Sequence, residues 1–408
     1  MTHPLRVGYL VPQFPGQTHI FFWREIRALE QMGHEVMLFS TRPPPPGLIS
    51  HGWSREAMDR TIYLGQSEPL RALAAMTRLV PRGLPIWTLR EGPVFARDVS
   101  LVLAAAEMLF SETKRLGIGH VHVHSCGRAA LIAALCRRMG GPSYSLTLHG
   151  PLRDYGPGQR FKWRGAAFGT VITQTLEAEL TEALGRDRPE RLLVQPMGVD
   201  IERFARPAPY APVSHGQPMR LFSCGRLNMV KGHQDVMSAI RQLLDLGVDV
   251  RLEIAGEDDE GGTGYRATLE AHLKQLHLRD HVRLLGAVDA DVVRQKLFEA
   301  HAFVLASWSE PLGVAYMEAM AASVPTIGTD AGGVRELIQD GRTGILVPPR
   351  NPGALARVIR DLSGNAEQAL RLSAAGHEHV ARHHRSELGA DLLAREIETT
   401  LDSERGRG

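Results

Sequence analysis

The sequence predicts an α/β protein of two doubly wound, parallel-sheet domains in tandem. Short apolar runs alternate with stretches of helical periodicity along nearly all 408 residues, which is the rhythm of βαβ units. That rhythm breaks between Pro196 and Pro218, a proline-rich segment with little periodicity that reads as an interdomain linker. Length agrees, because single cores stop growing beyond roughly 250–300 residues.

Taken in order, residues 5–11 form an apolar first strand, 19–32 a helix and 35–39 a second strand. Pro43 to Pro46 end that unit, since neither helix nor strand continues through four prolines. Residues 47–115, with Trp53, Trp87 and several prolines, read as irregular helices over the sheet. Strands follow at 121–124, 143–148 and 170–173, with a helix at 128–139. After the linker the strands are 220–224, 251–255, 282–285, 303–306, 326–328 and 344–347, and 365–402 is helical. The expected domains are 1–205 and 206–384, with helix 385–402 returning to the first. Their strand C-terminal ends are expected to face each other across a ligand-binding cleft.

Composition narrows the class. At 43% apolar and 23% charged, the chain is neither disordered nor fibrous. No apolar run of 18 residues exists, so no span is expected. Residues 1–10 read as a strand rather than a signal peptide. Cys126, Cys136 and Cys224 lack CxxC spacing and leave one unpaired, which suits a reducing cytoplasm. Residues 1–200 hold 23 Lys and Arg against 17 Asp and Glu, a net of +6, and the remainder nets −4. A basic first half suits an anionic acceptor or membrane surface; chance scatter is the plain alternative.

No GxGxxG follows a first strand and no P-loop is present, which lowers the expectation of a dehydrogenase or ATPase. Instead, residues 223–233 read SCGRLNMVKGH. Gly225 allows a tight turn after a strand, and Arg226 and Lys231 place two cations near a helix start, an arrangement suited to a diphosphate. Residues 309–318 read SEPLGVAYME. Glu310 lies in a loop, Leu312, Gly313 and Val314 open a helix whose free N–H groups suit phosphate or a sugar oxygen, and Glu318 is placed to accept from ribose hydroxyls. Each pattern alone also fits solvated surface charge. His120, His122 and His124 alternate on a strand and could share a face, which raises zinc as well as a structural or substrate-lining role. The DxD of Asp289 and Asp291 precedes a helix and is better explained as a cap.

Together these motifs resemble glycosyltransferase family 4, the retaining GT-B enzymes. Glu310 and Glu318 match its E-x7-E motif, and Arg226 and Lys231 its phosphate pair. Further matches are Gln195 to Asp200 with Phe204, and Gly332 to Leu337 followed by Gly341 and Gly344. The first half is similar to exopolysaccharide and lipopolysaccharide transferases in Val11 to Pro15 and Trp23 to Leu29; where those carry Ser-x-Thr-Phe, this chain reads Gly16, Gln17, Thr18, His19. The resemblance implies His149, Glu310, Arg226 and Lys231 as catalytic. It also implies Gly16, Gln17, Gly225, Gly256, Val288, Leu312, Gly313, Val314 and Glu318 at the donor. It implies a nucleotide diphosphate sugar, UDP- or GDP-linked, and front-side attack assisted by the departing phosphate. No metal or other cofactor is implied. The resemblance implies a glycan or lipid-linked acceptor and no nucleic-acid partner, and a cytoplasmic protein that is expected to visit the anionic inner membrane face through its first domain; Phe21, Phe22 and Trp23 there read either as the contact or as core. The rivals are a nucleotide-sugar 2-epimerase of the same fold and a non-catalytic nucleotide-sugar sensor.

Overall fold

A computed structural model describes residues 4–16, 19–44, 52–65, 68–258 and 264–406. The chain divides into two compact units. The first is Met1–Ile49, Trp53–Pro196 and Glu387–Gly408; the second is Ser50–Gly52 and Met197–Ser386. The chain enters the main part of the second unit after Pro196. The reason is local: Val199 N–H donates to the His384 carbonyl at 2.8 Å and Ser386 N–H to that of Val199 at 3.2 Å, which ties the start of the second unit to its end.

In chain order the first unit contains β1 (Arg6–Gln13), α1 (Ile20–Gln31), β2 (Glu35–Arg42), α2 (Ser54–Arg60), β3 (Thr61–Tyr63), α3 (Pro69–Leu79), α4 (Leu84–Glu91) and α5 (Pro93–Leu116). Then come β4 (His120–Val123), α6 (Arg128–Arg138), β5 (Ser143–Leu148), α7 (Gln159–Arg164), β6 (Gly169–Val171), α8 (Gln174–Leu184) and β7 (Leu192–Val194). Its parallel sheet is ordered β3-β2-β1-β4-β5-β6-β7. Every residue of β4 and β5 is buried, as a sheet covered on both faces requires.

Among its described residues, the segment 47–115, expected as irregular helices, holds an edge strand and four regular helices. Its prolines obscured them: Pro69, Pro85 and Pro93 sit in the first turns of α3, α4 and α5, where a missing N–H costs nothing. α5 then buries Phe95, Val99, Val102, Ala106 and Leu109 at helical spacing. The two strands that periodicity missed, β3 and β7, are three residues each and lie at the sheet edges.

The second unit contains β8 (Met219–Cys224), α9 (His233–Asp245), β9 (Val250–Ala255), α10 (Tyr265–Gln275), β10 (Val282–Gly286), α11 (Ala290–Glu299), β11 (Ala302–Val304), α12 (Val314–Ala321), β12 (Thr326–Thr329), α13 (Val334–Leu337), β13 (Ile345–Val347), α14 (Pro352–Ser363) and α15 (Ala366–His383). Its parallel order is β10-β9-β8-β11-β12-β13. Asp289 caps α11, accepting from Asp291 N–H at 2.8 Å, so the DxD is a helix start here. The helical stretch expected at 365–402 consists of α15 and a further helix, with a break at His384 and Arg385 where the returning helix was expected to start. The last helix, α16 (Ser386–Arg405), returns to the first unit, where Ala390, Leu393, Ala394 and Ile397 join a core with Trp23, Ile26 and Phe168. Arg191 donates to the Glu396 carbonyl at 3.1 Å and fixes its register.

Backbone crowding at the start of α9 sets a sharp limit. Gly232 has φ +69°, and a Cβ there would lie 1.9 Å from the Ala306 carbonyl oxygen, behind β11. Gly232→Ala is therefore expected to destabilise by about 2 kcal/mol or more. Gly216→Ala, at φ +78° with nothing within 4 Å, should cost about 1 kcal/mol. Denaturant melts of the two variants give the comparison.

Candidate functional site

In both sheets the strand order reverses beside the first strand, at β1/β4 and at β8/β11. Connections on either side of such a strand leave in opposite directions, and the crevice beyond its C-terminal end is where doubly wound sheets take ligands.

In the second unit, Gly225 follows β8, Gly256 follows β9, Val288 lies between β10 and α11, and Glu310, Leu312, Gly313 and Val314 follow β11. All sit at the C-terminal edge of one sheet. Asn228 shapes the first loop by accepting from Lys231 N–H at 3.1 Å. Lys231 Nζ then donates to Glu310 Oε2 at 2.5 Å, and Ser307 Oγ donates to the same oxygen at 3.1 Å. Glu310 is buried; Arg226 is exposed. The chain on either side of Glu310 is clamped. Trp308 N–H donates to the Val230 carbonyl at 2.7 Å, and Gly333 N–H to that of Glu310 at 2.9 Å. Trp308 Nε1 reaches Asp235 at 2.6 Å.

Gly313 caps α12 at φ +102°, where a Cβ would meet the Tyr316 ring at 2.3 Å, so the helix starts hard against the loop with its first N–H groups lacking i−4 acceptors. Glu318, one turn further, acts on the Cys224 thiol. Burial pushes that thiol up to about 12, with Glu318 raising it and Lys231 lowering it. The Lys231 side chain lies beside Gly225, just past β8, where a Cβ would stand 3.6 Å from its Cδ.

In the first unit, His149 follows β5 and His124 follows β4. His120 bonds Ser143 and Ser145 at 2.9 and 2.8 Å, and His122 bonds Ser145 and Thr147 at 2.7 and 2.9 Å. These two histidines stitch β4 to β5. His124 breaks the pattern: its Nδ1 lies 3.0 Å from His149 Nε2, and its Nε2 lies 2.8 Å from Glu25 Oε2 on α1. The second contact is too bent for a hydrogen bond, so the carboxylate stands beside the ring nitrogen without a formed bond. Tyr9 O–H donates to the same carboxylate oxygen at 2.7 Å. Burial holds every imidazole in the row below the ordinary histidine range, His120 and His124 to about 3.

Glu25, His122 and His124 bring ligand atoms within 4.8 Å of one another, the metal-like cluster found among the described residues. The donor set fits an ion poorly, because both His122 nitrogens are engaged by hydroxyls and His124 Nδ1 by His149. Gly16 accepts from His19 N–H at 3.0 Å; Gln17 and Thr18 lie outside the described residues. Phe22 and Trp23, which read as either membrane contact or core, are buried. Phe22 packs on His124 at 4.7 Å and Trp23 stacks on Trp53 at 5.3 Å. The reading of the sequence missed Glu25 and Ser307 as site residues. For Glu25 a signal existed: it falls with Phe22, Ile26 and Leu29 on the inward face of α1, where a carboxylate is out of place.

Residues 19–198 match the model of the glycosyl transferase 4-like domain, and 212–379 that of glycosyl transferases group 1. The chain is 26% identical over 381 residues to the putative colanic acid biosynthesis glycosyltransferase WcaL of Salmonella typhimurium, covering 88% of this chain and 91% of that protein. Sucrose-phosphate synthase from Thermosynechococcus elongatus superposes with a TM-score of 0.74 at 20% identity, over 98% of this chain and 100% of that one. Anabaena Alr3699/HepE in complex with UDP-glucose does so with 0.74 at 15%, over 97% and 100%. These structural likenesses establish the GT-B fold.

The Lys231–Glu310 pair changes what removing either residue should do. A largely buried ion that loses its partner destabilises by about 3 kcal/mol, so Lys231→Met and Glu310→Leu should each lower stability as well as any activity. The double variant should be more stable than the sum of the singles. A denaturation double-mutant cycle that is additive within 0.5 kcal/mol, the usual margin for independent sites, would rule the pair out.

Proposed function

We propose that this chain, a glycosyltransferase with a 4-like first domain and a group 1 second domain, moves a sugar from a UDP- or GDP-linked donor to a glycan or lipid-linked acceptor with retention at the anomeric carbon. The observation carrying the reading is the group gathered at the end of β8 and β11: Lys231 on Glu310, the capped start of α12, and Glu318. An ammonium has three donors and Glu310 takes one, which leaves Lys231 able to meet a phosphate while its charge stays anchored. The first N–H groups of α12 add positive potential. Arg226, being exposed, supplies a second cation.

In this reading the sugar C–O bond to the diphosphate breaks as the acceptor oxygen bonds the same face. The acceptor proton passes to the departing phosphate oxygen, and protein charge stabilises the developing anion. No metal is required. The likeness to a transferase named for colanic acid biosynthesis supports a polysaccharide product, and HepE in complex with UDP-glucose supports a nucleotide sugar. Lys231→Ala is expected to lower turnover on the order of 100-fold, about 2.7 kcal/mol, judged per folded molecule. Nucleoside diphosphate should be released only when acceptor is present, EDTA should leave the rate unchanged, and product NMR should show a retained anomer. Release without acceptor, or a rate abolished by EDTA and restored by manganese, would overturn this.

We also propose that the protein works at the inner face of an anionic membrane, with α3, α4 and α5 as the contact. Among the described residues no helix is long and apolar enough to cross a membrane. Leu70, Ile86 and Leu89 are 82%, 70% and 85% exposed, and Leu73, Val94 and Leu101 are also exposed. Residues 69–101 carry five arginines against Glu91 and Asp98. Exposed apolar side chains with arginines on the same helices fit an interfacial face on anionic lipid, although Arg71 and Arg78 are also paired with Glu107. Flotation with phosphatidylglycerol vesicles should occur at low salt, weaken at high salt, and be lost in Leu70→Ser/Leu89→Ser. A variant that floats as well as the parent would move the contact elsewhere.

A further inference from the structure

The row Glu25–His124–His149 has a direction. Oε2 of Glu25 faces Nε2 of His124 at 2.8 Å. The negative field of a carboxylate oxygen at that distance favours a positive N–H over an electron-rich bare nitrogen even though the contact is bent, which puts the His124 proton on Nε2. Its Nδ1 is then an acceptor, and at 3.0 Å it takes the proton of His149 Nε2. That leaves His149 Nδ1 without a proton. This atom is buried, and no hydrogen-bond partner for it is found among the described residues. Around it, Phe21 and Phe22 stand 5.6 and 5.4 Å from the His149 ring, and Phe22 also covers His124. Tyr9, donating to Glu25 at 2.7 Å, holds the far end of the row.

We propose that Glu25 and His124 are positioning residues that lock His149 as its Nε2–H tautomer, so that Nδ1 meets substrate as a hydrogen-bond acceptor for a hydroxyl. The proposal rests on the transferase reading for its substrate, though not for the tautomer. A hydroxyl is the group that fits, because a phosphate oxygen or carbonyl brings no proton to a bare nitrogen. In the other tautomer Nδ1–H would refuse the same hydroxyl hydrogen and clash with it.

The tautomer is testable without substrate. In protein labelled with ¹⁵N-histidine, with His149 assigned through His149→Gln, Nδ1 should give the shift of a bare nitrogen and Nε2 that of a protonated one. Glu25→Leu and His124→Leu should let the two forms mix, and should lower kcat/KM by about 10-fold or more, as wrong-tautomer variants of other histidine sites do. His124→Gln, whose amide oxygen can still accept from His149 Nε2–H, should keep both the tautomer and most of the rate. In the His149→Ala background, Glu25→Leu should cost nothing further, since its effect passes through His149. A protonated Nδ1 in the parent protein, a tautomer unmoved in both leucine variants, or an additive loss with His149→Ala each overturns the proposal. An absence of sugar transfer in the parent would sink the transferase reading alone and leave the tautomer result standing.

Discussion

A parallel sheet wound in both directions must leave one strand whose neighbours' connections depart to opposite faces. Nothing covers the carboxyl end of that strand, and the loops there must satisfy their own polar groups. In this chain that constraint acts twice, at β1/β4 and at β8/β11. Both times a carboxylate borne by a neighbouring element is brought against a basic side chain. Glu310, after β11, meets Lys231, after β8; Glu25, on α1, meets His124, after β4.

The two pairings differ in kind. Lys231 meets Glu310 as a close ion pair, so the second unit holds a compensated cation beside a helix start, where a small rearrangement of Glu310 alters the local field. The imidazoles of the first unit are neutral through burial, so the carboxylate there governs where a proton sits rather than whether one is bound. One unit is suited to meeting anions and the other to sorting donors from acceptors.

The sheets were legible because buried parallel strands are short apolar runs between helices, and most observed strands begin or end within two residues of the expected ones. The glycine, lysine and glutamate positions of the second unit were legible through motif resemblance. Their pairing was not: Lys231 and Glu310 are 79 residues apart, and only the adjacency of β8 and β11 joins them. α5 was hidden by prolines that in fact start helices. The role of Glu25 was hidden because its partner is 99 positions later, on a strand end whose histidines looked alike, although only His124 faces a carboxylate rather than the hydroxyls of β5.

The return of α16 has a consequence for how the protein is made. Ala390, Leu393, Ala394 and Ile397 complete the apolar core around Trp23, Ile26 and Phe168, yet they leave the ribosome only after Met197–Ser386 has been synthesised. At translation rates of about 5–20 residues per second, that interval is roughly 10–40 s. Throughout it the first unit has every strand of its sheet but an uncovered apolar flank. The nascent chain thus carries a sticky, nearly finished domain while its second half is born, a window in which chaperone capture competes with aggregation. α16 acts as the latch that closes it.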